Sequence, residues 1–257
     1  MLRREPTQQS GFIHRMLQWK VLARAVRNSV YRVAYRGTTH RCPVCEKPAR
    51  RFRPFGVDRK REQAMCVHCG ALERHRLVRL FLERQTDVLT APGKRFLHIA
   101  PEPCESYIRR RVGNGYVSAD LFDPTVDVRM DVTRIDYPDE SFDVIYCSHV
   151  LEHVSDDRRA LREFRRVLSP RGIALVVVPL TAPETFEDPT IIDPRDRLLA
   201  FGQDDHVRRY GPDFVDRLEE SGFAVRVVRA ADVASAEEIA TMGLSGSGEI
   251  FLGTRTS

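Results

Sequence analysis

Hydrophobic positions along this 257-residue chain change their period twice. Through residues 11–35, Phe12, Met16, Trp19, Ala23, Val26, Val30 and Val33 recur every three or four positions. That stripe predicts an amphipathic helix, with Lys20, Arg24, Arg27, Arg32 and Arg36 mainly on its other side. Leu72, Leu77, Leu80, Phe81 and Leu89, set against Arg74, Arg76, Arg79 and Arg84, predict a second such helix, which Ala91-Pro92-Gly93 ends. From residue 94 onward, short apolar runs alternate with helical ones. Strands are expected at residues 95–100, 115–121, 126–130, 142–148 and 172–179, and helices at about 102–112 and 156–168, with Ser169-Pro170-Arg171-Gly172 as a turn. Such alternation predicts an α/β fold built on a parallel sheet covered on both faces. Residues 223–229 and 250–253 are expected to pair as an antiparallel edge. Three regions follow: a basic amphipathic helix within residues 1–40, a small module with its linking helix at 41–93, and a larger domain at 94–257.

Composition narrows the class. Hydrophobic content of 42% and charged content of 30% describe a globular chain, not a disordered or fibrous one. The longest strongly apolar run, residues 173–180, is far short of the roughly 20 residues that cross a bilayer. The start, MLRREPTQQS, lacks the apolar stretch of a secretory signal, so a cytoplasmic location is expected. Charge is unevenly divided. Residues 1–95 hold 22 Lys and Arg against 7 Asp and Glu, a net of +15, while the remainder carries −10. A basic module of this kind suits nucleic acid, an anionic membrane surface or its own acidic partner domain.

Six cysteines without a secretion signal point away from a disulfide framework. Cys42-Pro-Val-Cys45 and Cys66-Val-His-Cys69 form two C-x2-C pairs separated by twenty residues. Two such tight turns close a four-sulfur shell, so Cys42, Cys45, Cys66 and Cys69 are expected to hold a structural zinc ion. A redox C-x-x-C is the weaker reading, because the pairs come as a matched set and no thioredoxin-like pattern surrounds either. His40, His68 and His75 are then bystanders, and Cys104 and Cys147 are packing thiols.

In open parallel sheets, ligands bind beyond the carboxyl ends of the strands, near the point where strand order reverses. Those ends are polar here: Ala100-Pro101-Glu102 after the first strand, Asp120 at the second, Asp131 after the third, and Cys147-Ser148-His149 at the fourth. A carboxylate at the second strand end suits both hydroxyls of a ribose, with an ordinary turn residue as the alternative.

The run DVTRIDYPDESFDVIYCSHVLEHVSDDRRALREFRRVLSPRGIALVVVP resembles the central segment of class I S-adenosylmethionine-dependent methyltransferases of the small-molecule type. The resemblance covers roughly residues 94–255 and implies a Rossmann-like, seven-stranded methyltransferase sheet behind a small zinc ribbon. It also implies Asp120 and the adjoining Leu121 at the ribose, Asp131 with Val132 at the adenine, and Ser148 with His149 beside the methionine portion. The whole chain resembles a branch that joins a C-x2-C ribbon, an "ERHR" helix at Glu73–Arg76 and a late "FGQ.DHVR.YG" segment at residues 201–211. One departure stands out. The family's glycine-rich first loop is replaced by His98-Ile99-Ala100-Pro101-Glu102-Pro103-Cys104, with no glycine in it. Either Glu102 faces the cofactor's amino group along a different loop path, or cofactor binding is weakened; retained binding is the expectation.

Methyl transfer to a hydroxyl needs a proton acceptor, and histidine suits that near neutral pH. His206, inside the charged segment 181–210 that reads as a substrate loop or lid, is the first candidate base, with His149 the second. His149 and His153, four apart, have the spacing of a metal pair, but the sequence offers no third ligand. Three functions emerge. The leading one is methylation of a small-molecule or saccharide hydroxyl. The second is RNA methylation, with ribbon and basic helix gripping phosphates. The third is a non-catalytic binding scaffold of methyltransferase fold. Peripheral membrane contact through residues 11–35 is the minor alternative for the basic helix.

Overall fold

The structure, a computed structural model, describes residues 30–31, 33–56 and 60–256. The predicted helix at 11–35 lies outside the described residues except for its final turn, where Val30 and Val33 are exposed. Among the described residues, no helix is long and apolar enough to cross a membrane.

The front of the chain is two short antiparallel ladders. β1 (His40–Arg41) pairs with β2 (Pro48–Ala49), and β3 (Arg53–Phe55) pairs with β4 (Arg61–Met65). Helix α1 (Glu73–Arg84) follows and buries Leu77, Val78, Leu80, Phe81 and Leu82. β5 (Phe96–Ile99) then opens the large sheet, followed by a 3-10 turn at Pro103–Glu105, α2 (Ser106–Val112), β6 (Tyr116–Asp120) and β7 (Val128–Arg129). Proline at the first position of that 3-10 turn splits the single helix predicted over 102–112. β8 (Phe142–Ser148), a short turn at Leu151–His153, α3 (Asp157–Val167) and β9 (Leu168–Val177) come next. The expected Ser169–Gly172 turn survives as an irregularity within β9, because Phe142 pairs with Leu168 and the next partners are Val144 and Ile173.

Residues 181–210 are more ordered than the predicted loop or lid. They carry β10 (Phe186–Glu187), α4 (Pro194–Phe201) and β11 (Arg208–Arg209), with β10 and β11 paired antiparallel. The chain closes with α5 (Phe214–Glu220), β12 (Phe223–Val228), α6 (Ala230–Val233), α7 (Ala236–Thr241) and β13 (Ile250–Arg255).

Seven strands form one sheet in the order β12-β13-β9-β8-β5-β6-β7, the Rossmann-like arrangement implied by the resemblance. β13 is antiparallel to both β9 and β12, so the expected antiparallel pair exists with β12 alone at the edge. The five remaining strands are parallel. Alternate side chains feed two cores. Val144 and Tyr146 of β8 face a core shared with α1, α2 and ribbon residues Cys42, Phe52 and Cys66. Ile145 and Cys147 face the core of α3 and α5. The ribbon therefore packs into the same apolar layer as the sheet. Strand order reverses between β5 and β8, and their carboxyl ends are where such a sheet is expected to hold a ligand crevice.

Candidate functional site

At the end of β5, Ala100 adopts φ +48°, a left-handed conformation more often given to glycine, and its N–H bonds the Ala119 carbonyl at 2.8 Å. The backbone thus makes the turn that glycine usually makes, with only a methyl group in its place. Glu102, two residues on, is held from outside the loop. Its Oε1 accepts from the Arg74 guanidinium and from Nε2 of His75 at 2.9 Å. Nδ1 of the fully buried His75 accepts the Leu72 N–H at 3.0 Å, so the Nε2–H tautomer is the one that faces Glu102. Burial raises the Glu102 carboxyl, but His75 and Arg74 outweigh it and hold the group at about 2. The "ERHR" helix and the glycine-free loop are thereby one unit, a link the sequence showed only as two separate motifs. Pro101, between the two, is half-buried.

Asp120 ends β6. Its Oδ1 accepts the N–H groups of Phe122 (2.6 Å) and Asp123 (2.8 Å), so the turn reading and the ribose reading share one carboxylate, with Oδ2 outside this turn. Leu121 and Phe122 beside it expose apolar surface, Phe122 at 85%. Asp131 caps its own turn through Thr133 at 2.8 Å, and Val132 is buried behind it. Ser148 at the end of β8 has a buried Oγ without a hydrogen-bond partner among the described residues. These features fit a nucleoside-sized group: a turn with only Cβ bulk, carboxylates at two strand ends, and an orphaned hydroxyl at a third.

Beyond Ser148 the polar groups converge. His149 has φ +55°, a strained value for a non-glycine residue of the kind that collects at functional sites. Its Nδ1 lies 3.3 Å from Oε1 of Glu152, whose side chain is only 2% exposed. Burial pushes the Glu152 carboxyl up, yet the His149 and His153 imidazoles and a backbone hydrogen bond bring it below its ordinary value. The predicted base His206 arrives from the far segment to within 4.6 Å of His153, ring centre to ring centre. It is 7% exposed, and burial followed by the His153 charge lowers its pKa, favouring the neutral imidazole. Nδ1 of His153 is 3.2 Å from Asp205. Sequence reasoning named the three histidines but passed over Glu152, which sits in the same LEH triplet as His153.

The far segment is fastened, not draped. Val207 N–H bonds the Glu152 carbonyl at 2.9 Å, and the buried Arg208 guanidinium reaches the carbonyls of Leu151 (2.7 Å), Val154 and Ser155 (2.8 Å). Tyr210 Oη donates to the buried Asp157 at 2.7 Å.

Away from the crevice, the four predicted zinc ligands come together, with all four sulfurs within 4.8 Å of one another. Cys42 Sγ to Cys69 Sγ and Cys45 Sγ to Cys66 Sγ are both 3.8 Å. The edge of a sulfur tetrahedron with Zn–S bonds of about 2.3 Å is about 3.8 Å, so the donors fit zinc. Beside this cluster, a cavity of about 530 Å³ lies against α2, with Glu46, Arg79, Arg110 and Arg111 in its lining.

Comparison with known proteins agrees on the sheet's first half. Residues 98–176 match the family described as "Methyltransferase domain". Over 95 residues, 36% of the chain, it is 30% identical to malonyl-[acyl-carrier protein] O-methyltransferase of Halorhodospira halophila. Over 72 residues, 28% of the chain, it is 39% identical to the uncharacterized methyltransferase YcgJ of Bacillus subtilis. The chain spans 30% and 27% of the lengths of these relatives. Among solved structures, an S-adenosylmethionine-dependent methyltransferase from Mesorhizobium loti aligns over 64% of this chain and 92% of its own, at 19% identity and a TM-score of 0.45. Residues 98–176, which run from β5 into β9, are thus the part of the chain that is similar to the methyltransferase family.

Proposed function

We propose that this chain is an S-adenosylmethionine-dependent methyltransferase whose acceptor is a hydroxyl of a small molecule or saccharide. The observation that carries the reading is the convergence of Ala100, Asp120 and Ser148–His149 at the carboxyl ends of β5, β6 and β8, where strand order reverses. In this reading Asp120 accepts the ribose hydroxyls with Leu121 beside it, Asp131 and Val132 meet the adenine, and Ala100, Pro101 and Glu102 form the loop along the methionine portion with Ser148. When bound, S-adenosylmethionine supplies a methyl group on a positively charged sulfur. The protein's part is to align the acceptor oxygen and keep water out. His149 receives the hydroxyl proton: its Nδ1 faces the Glu152 carboxylate at 3.3 Å, which favours the proton on that nitrogen and leaves Nε2 as the acceptor. His206, neutral and adjacent, is the alternative acceptor of that proton.

Titration of the full chain with S-adenosylhomocysteine, followed by calorimetry, tests the cofactor half. One site is expected, and Asp120→Asn should weaken it by about 1.5–3 kcal/mol through lost charge-assisted hydrogen bonds. No heat at millimolar ligand overturns the reading, and unchanged affinity in the variant removes Asp120 from the ribose.

One observation favours RNA as acceptor: the arginine-bearing cavity between the cysteine cluster and α2, at the basic end of the chain. RNA bound there loses affinity with salt, at a slope of about −0.7 per phosphate contacted. A flat salt response from the full chain eliminates that acceptor.

A further inference from the structure

The turn after β8 holds more chemistry than a proton acceptor needs. Glu152, His153 and His206 each offer a donor atom, and the three atoms lie within 4.8 Å of one another. Glu152 is the unusual member. Oε1 lies 3.3 Å from Nδ1 of His149, but Oε2 is buried and has no hydrogen-bond partner among the described residues. A carboxylate oxygen left bare in a protein interior costs stability unless something positively charged or protic meets it. His153 and His206 stand next to it, and Asp205 lies 3.2 Å from Nδ1 of His153, as carboxylates do when they set the tautomer of a metal-binding imidazole. The donors are held in place before any ligand arrives, because Val207 and Arg208 tie the His206 segment to the backbone at Leu151, Glu152, Val154 and Ser155. The way in is open: the side chain of His153 is 35% exposed and that of Asp205 64%.

We propose that Glu152, His153 and His206 bind a divalent first-row transition cation at the end of β8. Two imidazoles and one carboxylate suit such ions better than calcium or magnesium, and three protein donors leave coordination positions free. On the proposed methyltransferase reading, an acceptor hydroxyl takes a free position and becomes more acidic there. Its proton passes to Nε2 of His149, the oxygen–methyl bond forms as the sulfur–methyl bond breaks, and the thioether leaves uncharged. Glu152 then serves the cation through one oxygen and His149 through the other. That accounts for a buried carboxylate whose two oxygens have such different surroundings.

Manganese distinguishes this site from the cysteines, since thiolates retain zinc against it. Full-length protein is washed with a chelator under conditions that keep one zinc per chain, then titrated with Mn²⁺ while free Mn²⁺ is followed by electron paramagnetic resonance. One Mn²⁺ per chain is expected, released again by added Zn²⁺. Glu152→Gln and His206→Asn should each weaken it at least tenfold, with circular dichroism unchanged in at least one of them. A wild-type chain that takes up neither Mn²⁺ nor a second Zn²⁺ at millimolar concentration overturns the proposal, as does wild-type affinity in both variants. S-adenosylhomocysteine is titrated into the same sample. Metal uptake without nucleoside binding sinks the methyltransferase reading and leaves the cation site, and the converse sinks the cation site alone.

Discussion

Two charged segments flank the parallel strands of the large sheet, Glu73–Arg76 before them and Asp204–Tyr210 after them, and the tertiary structure uses them differently. Each contains a buried arginine that pins distant backbone. Arg76 donates to the carbonyls of Gln63, Ala64, Ala71 and Gly243, and Arg208 to those of Leu151, Val154 and Ser155. Each also contains a histidine. Both nitrogens of His75 are occupied, one by the Leu72 N–H and one by Glu102. His206 instead sits beside Glu152, one of whose oxygens has no partner among the described residues. The lesson is that a charged, unusual-looking motif carries chemistry only where its polar atoms remain unspent after the fold has taken its share. By that measure the first segment is a strut and the second ends in a site.

The largest test removes the arginines. Arg76→Leu leaves four carbonyls without their guanidinium, and a loss of about 3 kcal/mol or more is expected from the denaturation midpoint. Arg208→Leu should cost about as much; a change below roughly 1 kcal/mol in either would dissolve the strut argument. The histidines then separate the segments. His75→Leu strands the Leu72 N–H and leaves Glu102 Oε1 to Arg74 alone, for a loss of about 1–2 kcal/mol. His206→Asn should cost less stability than His75→Leu while losing the proposed cation, and equal stability losses in both would erase the contrast.

The smallest effect is a pH dependence. Glu102 titrates at about 2 in the folded chain against an ordinary 4.5. Its contribution is therefore fully present above about pH 4.5 and fades as pH falls toward 2. With the side chain 42% exposed and its pairs screened, no more than about 1 kcal/mol is at stake. In Glu102→Gln that acid-side slope should shrink, and an unchanged slope would detach the first loop from the "ERHR" helix.

The sheet was legible because its strands are buried on both faces. Residues such as Phe96–Ile99 and Phe142–Ser148 then read as near-continuous apolar runs. The cysteine pairs were legible because a two-residue spacer already brings two sulfurs together, and only the joining of two such turns had to be supplied by folding. The site after β8 was half legible. His149, His153 and His206 could be named, but Glu152 lay hidden in a turn whose buried carboxylate has no periodic pattern to announce it.

By itself, then, the sequence determined which segments form the parallel sheet, which cysteines belong together, and which strand ends are polar, all properties set by local spacing and by the period of burial. Only the tertiary structure decided which polar atoms are consumed and which are left over. It joined Glu102 to Arg74 and His75, and it brought His206 to Glu152 across more than fifty residues of chain. The physical reason is that hydrogen-bond satisfaction is settled between partners far apart in sequence, and no local pattern records it.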